Sequence, residues 1–367
     1  WASAKSECCI LYYITGTEAE RDLAALLEES DVQANRAAAH FGIQFNEPIT
    51  LTLIPRLLGH GGFASNEISI SYLDRNYAGS QFSQVLYHEM VHILDGRLGG
   101  ELRPTLLVEG LAVYLTGGHY KPEPLLSRAA ALLKLQAASS EQGVQWYLPL
   151  ASLADNFYPS QHEIGYLQAG ALVEYLVDTW GWEAFSAFYR DIHPDPSESQ
   201  ARAIDQALQK HFHLSLDALE SAYLDYLQKQ EVTPDLLDDV RLTVALYDAV
   251  RRYQQLLDPS AYFQTAWLLD NSQMRQRGIV ADYLRRPSAP INVALETLLA
   301  AAGNHLSLGR YSEAEKILIA VGDELDEIEA LSAARRGEIM DRSRMRGISD
   351  QREVRSRGLL LGSRVDR

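Results

Sequence analysis

Two histidines and a glutamate interrupt an otherwise apolar stretch, VLYHEMVHIL (Val85–Leu94). His88, Glu89 and His92 are polar groups that cost free energy to bury unless something pairs with them. In an α-helix, residues four apart share a face, so His88 and His92 can aim both imidazoles at one point. Neutral imidazole is a good zinc ligand, with Zn–N distances of about 2.0–2.1 Å. Glu89 is turned away from the pair but within reach of a metal-bound water. That is the division of labour in the pattern His-Glu-x-x-His, two ligands and one general base. A catalytic zinc needs a third protein ligand. LLVEGLAVYL (Leu106–Leu115) supplies a candidate in Glu109, alone in an apolar helix 17 positions after His92. Unpaired Glu is almost never fully buried, and Gly110 beside it allows another backbone to approach closely.

HEMVH followed by EGLAVY resembles the gluzincin metallopeptidases. The Glu-Gly-x-Ala-x-Tyr form is closer to the aminopeptidase N branch than to thermolysin. The resemblance covers about Cys8–Lys229 and departs from the family at two places. Val113 stands where thermolysin relatives carry Asp, and Val108 where aminopeptidase N relatives carry Asn. It implies that His88, His92 and Glu109 hold one zinc ion per chain and that Glu89 activates the water. It further implies a tyrosine donor to the oxyanion. The helix YLQAGALVEYL (Tyr166–Leu176) offers Tyr166 for that role, 57 positions after Glu109; a core tyrosine is the alternative.

GGFASNEISISY (Gly61–Tyr72) is similar to the edge strand along which gluzincins lay a peptide substrate by β-addition. It lacks the Gly-x-Met-Glu-Asn motif that anchors a free amino terminus, and Glu67 is not at a matching distance from His88. An endopeptidase is therefore favoured over an aminopeptidase. Two other readings stay open: a peptidase-like binding protein whose helical part recruits a partner, and a zinc hydrolase of a non-peptide amide. His60 and His119 lie in Gly-rich turns near the motif in sequence and are lesser candidates for touching substrate. His162-Glu163 has no second His at helical spacing and reads as surface, and His211 and His213 suggest no site. Neither a nucleotide-binding glycine loop after a strand nor a Gly-x-Ser-x-Gly elbow is present.

These side chains need elements to hold them. CCILYYITG (Cys8–Gly16) reads as a buried strand and PITLTLIP (Pro48–Pro55) as a second, with a helix over Glu18–Phe41 between them. EISISYL (Glu67–Leu73) alternates Ile and Ser, which predicts a strand with one wet face. Ser83 is the expected cap of the motif helix, which should stop near Asp95-Gly96. From Leu102 to about Gln230 the pattern is helical, broken at Gly117–Pro124 and His193–Ser199. Strands first and helices after predict an α+β fold. The expected organisation is a metallopeptidase-like domain over 1–230, with 1–80 mainly sheet and 81–230 mainly helical. An all-helical domain follows over 231–333. Within it GNHLSLGRYSEAEKIL (Gly303–Leu318) resembles one tetratricopeptide unit, a possible place for a protein partner.

Residues 334–367 read as a flexible basic tail. They carry ten arginines against five acidic residues, so the rest of a chain of net charge −16 stands at −21. Such acidity argues against nucleic acid or an anionic membrane as a partner. No apolar run reaches the ~20 residues of a membrane span. The only two cysteines, Cys8 and Cys9, are neighbours and form no ordinary disulfide framework. The chain starts at Trp1 rather than Met, from which a removed upstream segment and an extracytoplasmic or envelope location are the expectation.

Overall fold

The computed structural model describes residues 1–44, 47–59, 61–78, 81–119, 121, 123–138, 144–159, 162–262 and 270–334. His60 and the expected tail from 335 onward lie outside the described residues. Two compact units are distinguished, Trp1–Leu318 and Ile319–Arg367; of the second, 319–334 is described and is helical.

The first unit is α+β, with one small mixed sheet near the amino terminus and helices thereafter. Its strands are β1 (Ala2–Lys5), β2 (Cys9–Tyr13), β3 (Ile49–Ile54), β4 (Gly62–Ala64) and β5 (Ile68–Ser71), in the order β1-β2-β3-β5-β4. The inner strands β2, β3 and β5 run parallel. The outer strands β1 and β4 are each antiparallel to their neighbour. The stretch Gly61–Tyr72 is thus a hairpin rather than one edge strand. Its chain reverses at Ser65–Glu67, where Ser65 N–H donates to the Glu67 carbonyl at 3.0 Å. Of the two hairpin strands, β4 lies at an edge of the sheet and β5 inside it.

The wet face expected for β5 does not exist: Ile68, Ser69, Ile70 and Ser71 are all buried. The reason is a return of the chain from more than 200 residues away. Helices α12 (Asn271–Arg277) and α13 (Ala281–Leu284) follow α1 (Glu18–Arg21) through α11 (Pro234–Leu257) in sequence and come back to the sheet. Asn271 Nδ2 donates to Ser69 Oγ at 2.6 Å, and Tyr283 packs with Ile14, Ile54 and Leu58. Arg275 pairs with Glu67 at 2.8 Å and sits 4.1 Å over the Tyr12 ring. Ser71 Oγ accepts the Leu58 N–H at 2.8 Å, so both serines of β5 are satisfied.

Helix α2 (Leu23–Phe41) packs along α3 (Phe82–Leu98), which itself lies against β4 and β5. Gln81, rather than Ser83, is the N-cap of α3, without a side-chain cap bond. The helix runs past Asp95-Gly96 to Leu98 because Asp95 is buried and held by cations rather than turning the chain. Its carboxylate accepts from Arg103 Nε at 2.8 Å, Tyr189 Oη at 2.7 Å and Arg190 Nη2 at 2.8 Å.

Helix α4 (Thr105–Thr116) crosses α7 (His162–Trp180) at a glycine on each side. A Cβ on Gly110 would lie 2.5 Å from the Ala169 carbonyl oxygen, and one on Gly170 2.4 Å from Val113 Cγ1. α5 (Leu125–Ala138) also packs on α7, and α6 (Leu150–Asp155), α8 (Trp182–Arg190), α9 (Gln200–Phe212) and α10 (Leu216–Leu227) complete the helical half.

The boundary expected after Gln230 has no counterpart in the packing. Pro234 occupies the first turn of α11, where its missing N–H costs nothing, and Thr233 Oγ1 accepts from Leu236 N–H at 3.3 Å. The helix then lies on α5, α7 and α14 (Pro290–Ser307), with Val240 and Val244 in the main core. Arg128 on α5 has no exposed surface and is ion-paired to Asp239 on α11 and to Glu123 at 2.9 Å. Gly309, at φ +69°, lies in the turn after α14, and the chain is helical again from 311.

Candidate metal centre

His88 and His92 project from the middle of α3 and Glu109 from α4, three sides of one small space. His88 Nε2 and His92 Nε2 are 3.0 Å apart. Glu109 Oε2 lies 3.3 Å from the first and 3.2 Å from the second. Metal–ligand bonds of about 2.0–2.1 Å at tetrahedral angles place neighbouring donor atoms about 3.3–3.4 Å apart. The triangle therefore has nearly the size of one face of a tetrahedral zinc site. Two imidazoles and a carboxylate are a donor set that zinc accepts, and all three residues line one cleft.

Glu109 is oriented from behind. Tyr158, half-exposed in the link between α6 and α7, donates its Oη to Glu109 Oε1 at 2.9 Å, leaving Oε2 for the histidines. Outer partners of this kind fix a ligand's direction and tune its basicity. Burial by itself would raise the Glu109 carboxyl. The two imidazoles outweigh it and hold the group well below the usual carboxylate range.

Glu89 points to the other side of the histidine pair, is 3 % exposed, and lines the same cleft. Burial pushes its carboxyl up to about 7, with Glu109 adding to the rise and His88 opposing it. Strand β4 presses directly on it: a Cβ on Gly62 would fall 2.6 Å from Glu89 Oε1 and 2.7 Å from Val85 Cγ1. Only glycine lets the sheet edge come this close.

Tyr166, on α7, also lines the cleft, its ring centroid 6.3 Å from that of His88. His119 stacks on Tyr166 at 4.2 Å and is buried, with Nδ1 3.0 Å from Glu163 Oε2. Burial takes His119 down to about 3, so the ring is neutral, and pushes Glu163 up to about 7. The expectation of a surface position for Glu163 is therefore wrong: it has no exposed side-chain area and stands between His119 and Arg128. His119 lies behind Tyr166 rather than among the cleft-lining groups. His211 pairs with Asp191 at 2.7 Å, away from the cleft.

The cleft, about 880 Å³, runs from the Tyr158–Tyr166 side past the His88–His92–Glu109 trio and along the carboxyl-terminal half of α3. Strand β4 and residues Ser65 and Asn66 form one wall, and Ile93 and Val108 contribute apolar surface. Sequence reasoning brought His88, His92, Glu109, Glu89 and Tyr166 to one place. It missed Tyr158, whose only signal is an aromatic residue just ahead of the Tyr166 helix, and it missed the arginines at the far end of the cleft. A second set of ligand-type atoms, Cys8, Cys9 and Asp31, gathers where β2 begins. There Asp31 accepts from Ser6 Oγ and from the backbone N–H groups of Glu7 and Cys8, which ties the turn before β2 to α2.

No helix among the described residues is long and apolar enough to cross a membrane. No protein-family model matches the chain, and no curated protein matches it.

Proposed function

We propose that the protein is a zinc-dependent peptidase of gluzincin type, with endopeptidase cleavage favoured. The observation that carries the reading is the His88–His92–Glu109 triangle, 3.0–3.3 Å on each side, on the floor of a cleft that Glu89 shares. When bound by these three residues, zinc would polarise a carbonyl and lower the pKa of a water.

The chain's own groups supply the rest. Glu89 is held by β4 at the wall of the cleft, and its raised pKa suits a group that takes a proton from the attacking water. The same carboxyl then gives the proton to the leaving amine, as a base working near neutral pH can. Tyr166, or the more exposed Tyr158 once released from Glu109, donates a hydrogen bond to the oxygen on which negative charge develops. The open edge of β4 offers main-chain hydrogen bonds to an extended peptide, which would fix the scissile bond over the ligand trio.

The test combines elemental analysis with cleavage of a mixed peptide library by the zinc-loaded protein. About one zinc per chain, together with cleavage abolished by chelation and restored by zinc, is the expected result. A protein that takes up no zinc, or takes it up and cuts nothing in the library, overturns the reading; the second outcome would favour the binding-protein alternative.

A further inference from the structure

The end of the cleft beyond His92 has a chemistry of its own. Following α3 from His92, the lining residues are Ile93, Gly96 and Arg97, with Arg103 facing them from the segment before α4. Gly96 makes room for that guanidinium: a Cβ there would sit 3.3 Å from Arg103 Nη1. Arg103 gives Nε and Nη2 to Asp95 and remains one of the residues that line the cleft. Asp95 is at the same time paired to Arg190, so it does not neutralise Arg103 alone. Arg97 donates to the backbone carbonyls of Glu47 and Pro48, at 3.1 and 3.4 Å, and pairs with no carboxylate among the described residues. Among the described residues the carboxylate lining this end is Glu47, which is exposed. Among the residues lining this end, Arg97 and Arg103 against Glu47 leave one net positive charge, in a chain whose net charge is −16.

We infer that this end of the cleft is a carboxylate-binding subsite, in which Arg97 and Arg103 select substrates bearing a negative charge close to the scissile bond. The inference rests on the peptidase reading and adds a substrate class to it. Distance sets the register. From His92 to Gly96 is four residues of helix, about 6 Å along the axis at about 1.5 Å per residue. An extended peptide advances about 3.4 Å per residue, so the carboxylate falls one or two residues from the bond that is cut. Two sources supply such a group: an Asp or Glu side chain, or the free carboxyl terminus of a short peptide. Arginine forks bind either one through paired charge-assisted hydrogen bonds.

The best library substrate is resynthesised in three forms. One carries Glu next to the cut with an amidated terminus; one carries a free terminal carboxylate within two residues of the cut and no acidic side chain; one carries Gln and an amide. At least one carboxylate form should exceed the neutral form about 10–100-fold in kcat/KM, the range expected of a hydrogen-bonded charge pair. Which form gains identifies the source. In Arg97→Gln the ratio should fall, and in the Arg97→Gln/Arg103→Gln double variant it should approach one. Asp95 keeps Arg190 and Tyr189 in the double variant, and Arg97→Gln alone still tests the idea if that variant fails to fold. A ratio near one in the unmodified protein, or a preference that persists in a double variant with full zinc content, overturns the inference. If no peptide is cut, the peptidase reading fails on its own. Competition of the same three peptides against a labelled acidic peptide, read by anisotropy, then decides the subsite: equal binding of all three refutes it, and tighter carboxylate binding lost in Arg97→Gln supports it.

Discussion

Replacing Gly110 by Ala is the sharpest test of how the fold holds the trio together. The added methyl would meet the Ala169 carbonyl oxygen at 2.5 Å, its carbon at 2.8 Å and Val173 Cγ2 at 2.9 Å. Two of the three are backbone atoms inside α7, which cannot rotate out of the way. Ordinary carbon–oxygen contact needs roughly 3.4 Å or more, so α4 and α7 must separate by most of an ångström. Overpacking of this kind costs about 1–3 kcal/mol, and the helix propensity gained by Ala returns about 1 kcal/mol. The net change is a loss of up to about 2 kcal/mol, which lowers Tm by up to roughly 3 °C in a unit of this size. The second consequence is local. Glu109 is the adjacent residue, and moving α4 displaces its Oε2 from the two imidazoles 3.2–3.3 Å away. Zinc affinity should therefore fall about 10-fold or more, comparable to the loss of a supporting partner. Gly117→Ala is the matched control. Gly117 caps α4 at φ +78° with nothing near its would-be Cβ, so it costs backbone strain of about 1–2 kcal/mol without pushing on Glu109. Differential scanning fluorimetry and zinc competition titration on both variants give the answer. If Gly110→Ala loses stability but binds zinc as tightly as Gly117→Ala, the close crossing does not position the ligand and the reasoning fails.

Glu89→Gln should keep zinc and fold yet lose about 10²–10⁴ in turnover, because the side chain serves as base and not as ligand; undiminished cleavage by that variant refutes the role. Tyr158→Phe and Tyr166→Phe should separate cleanly. Removing the Tyr158 hydroxyl frees Glu109 Oε1 and weakens zinc about 10–100-fold by titration. Removing the Tyr166 hydroxyl, if it serves the oxyanion, leaves zinc and KM in place and lowers kcat about 10²–10³-fold, whereas a destabilised Tyr166→Phe with full turnover returns that residue to the core. A chain ending at Gln230 removes Asp239 from the buried Arg128 and strips α11 from α5 and α7. Breaking a buried pair costs about 3–5 kcal/mol when no other partner remains, and Glu123 stays to soften it. The fragment should nonetheless melt well below the full chain and expose apolar surface to a dye; an equally stable, zinc-binding fragment would restore the boundary at 230.

The core of the site was legible because its signals are local. His88 and His92 are one helical turn apart, and Glu109 is conspicuous as a single carboxylate among leucines. Gly110 could be read as a place for backbone approach before its partner was known, since no other residue admits one. Tyr166 was found through resemblance, and Tyr158, which makes the actual contact to Glu109, was passed over. A residue whose role is to touch a ligand from a connecting segment leaves no periodicity to read.

The rest depended on contacts between distant parts of the chain. The Ile–Ser alternation of β5 is the pattern of a half-exposed strand, and only the return of 270–284 to the sheet makes those serines interior. Glu163 looked like a surface residue because a carboxylate at the start of a helix usually is one. It is buried here because Arg128, from a neighbouring helix, carries the compensating charge, and Arg128 in turn needs Asp239 from beyond the supposed boundary. Asp95 misled in the same way: as a helix-ending residue it predicted a stop, while Arg103, Tyr189 and Arg190 make it an interior anchor that holds the positive end of the cleft in shape. For Glu163 and Asp95 alike, a charged residue was read by its average habit, and partners 8 to 95 positions away reversed the reading. The local motif is sufficient to propose the chemistry. Selectivity for what is cut would be set instead by these long-range ion pairs, because they decide which guanidinium groups remain free to meet a substrate.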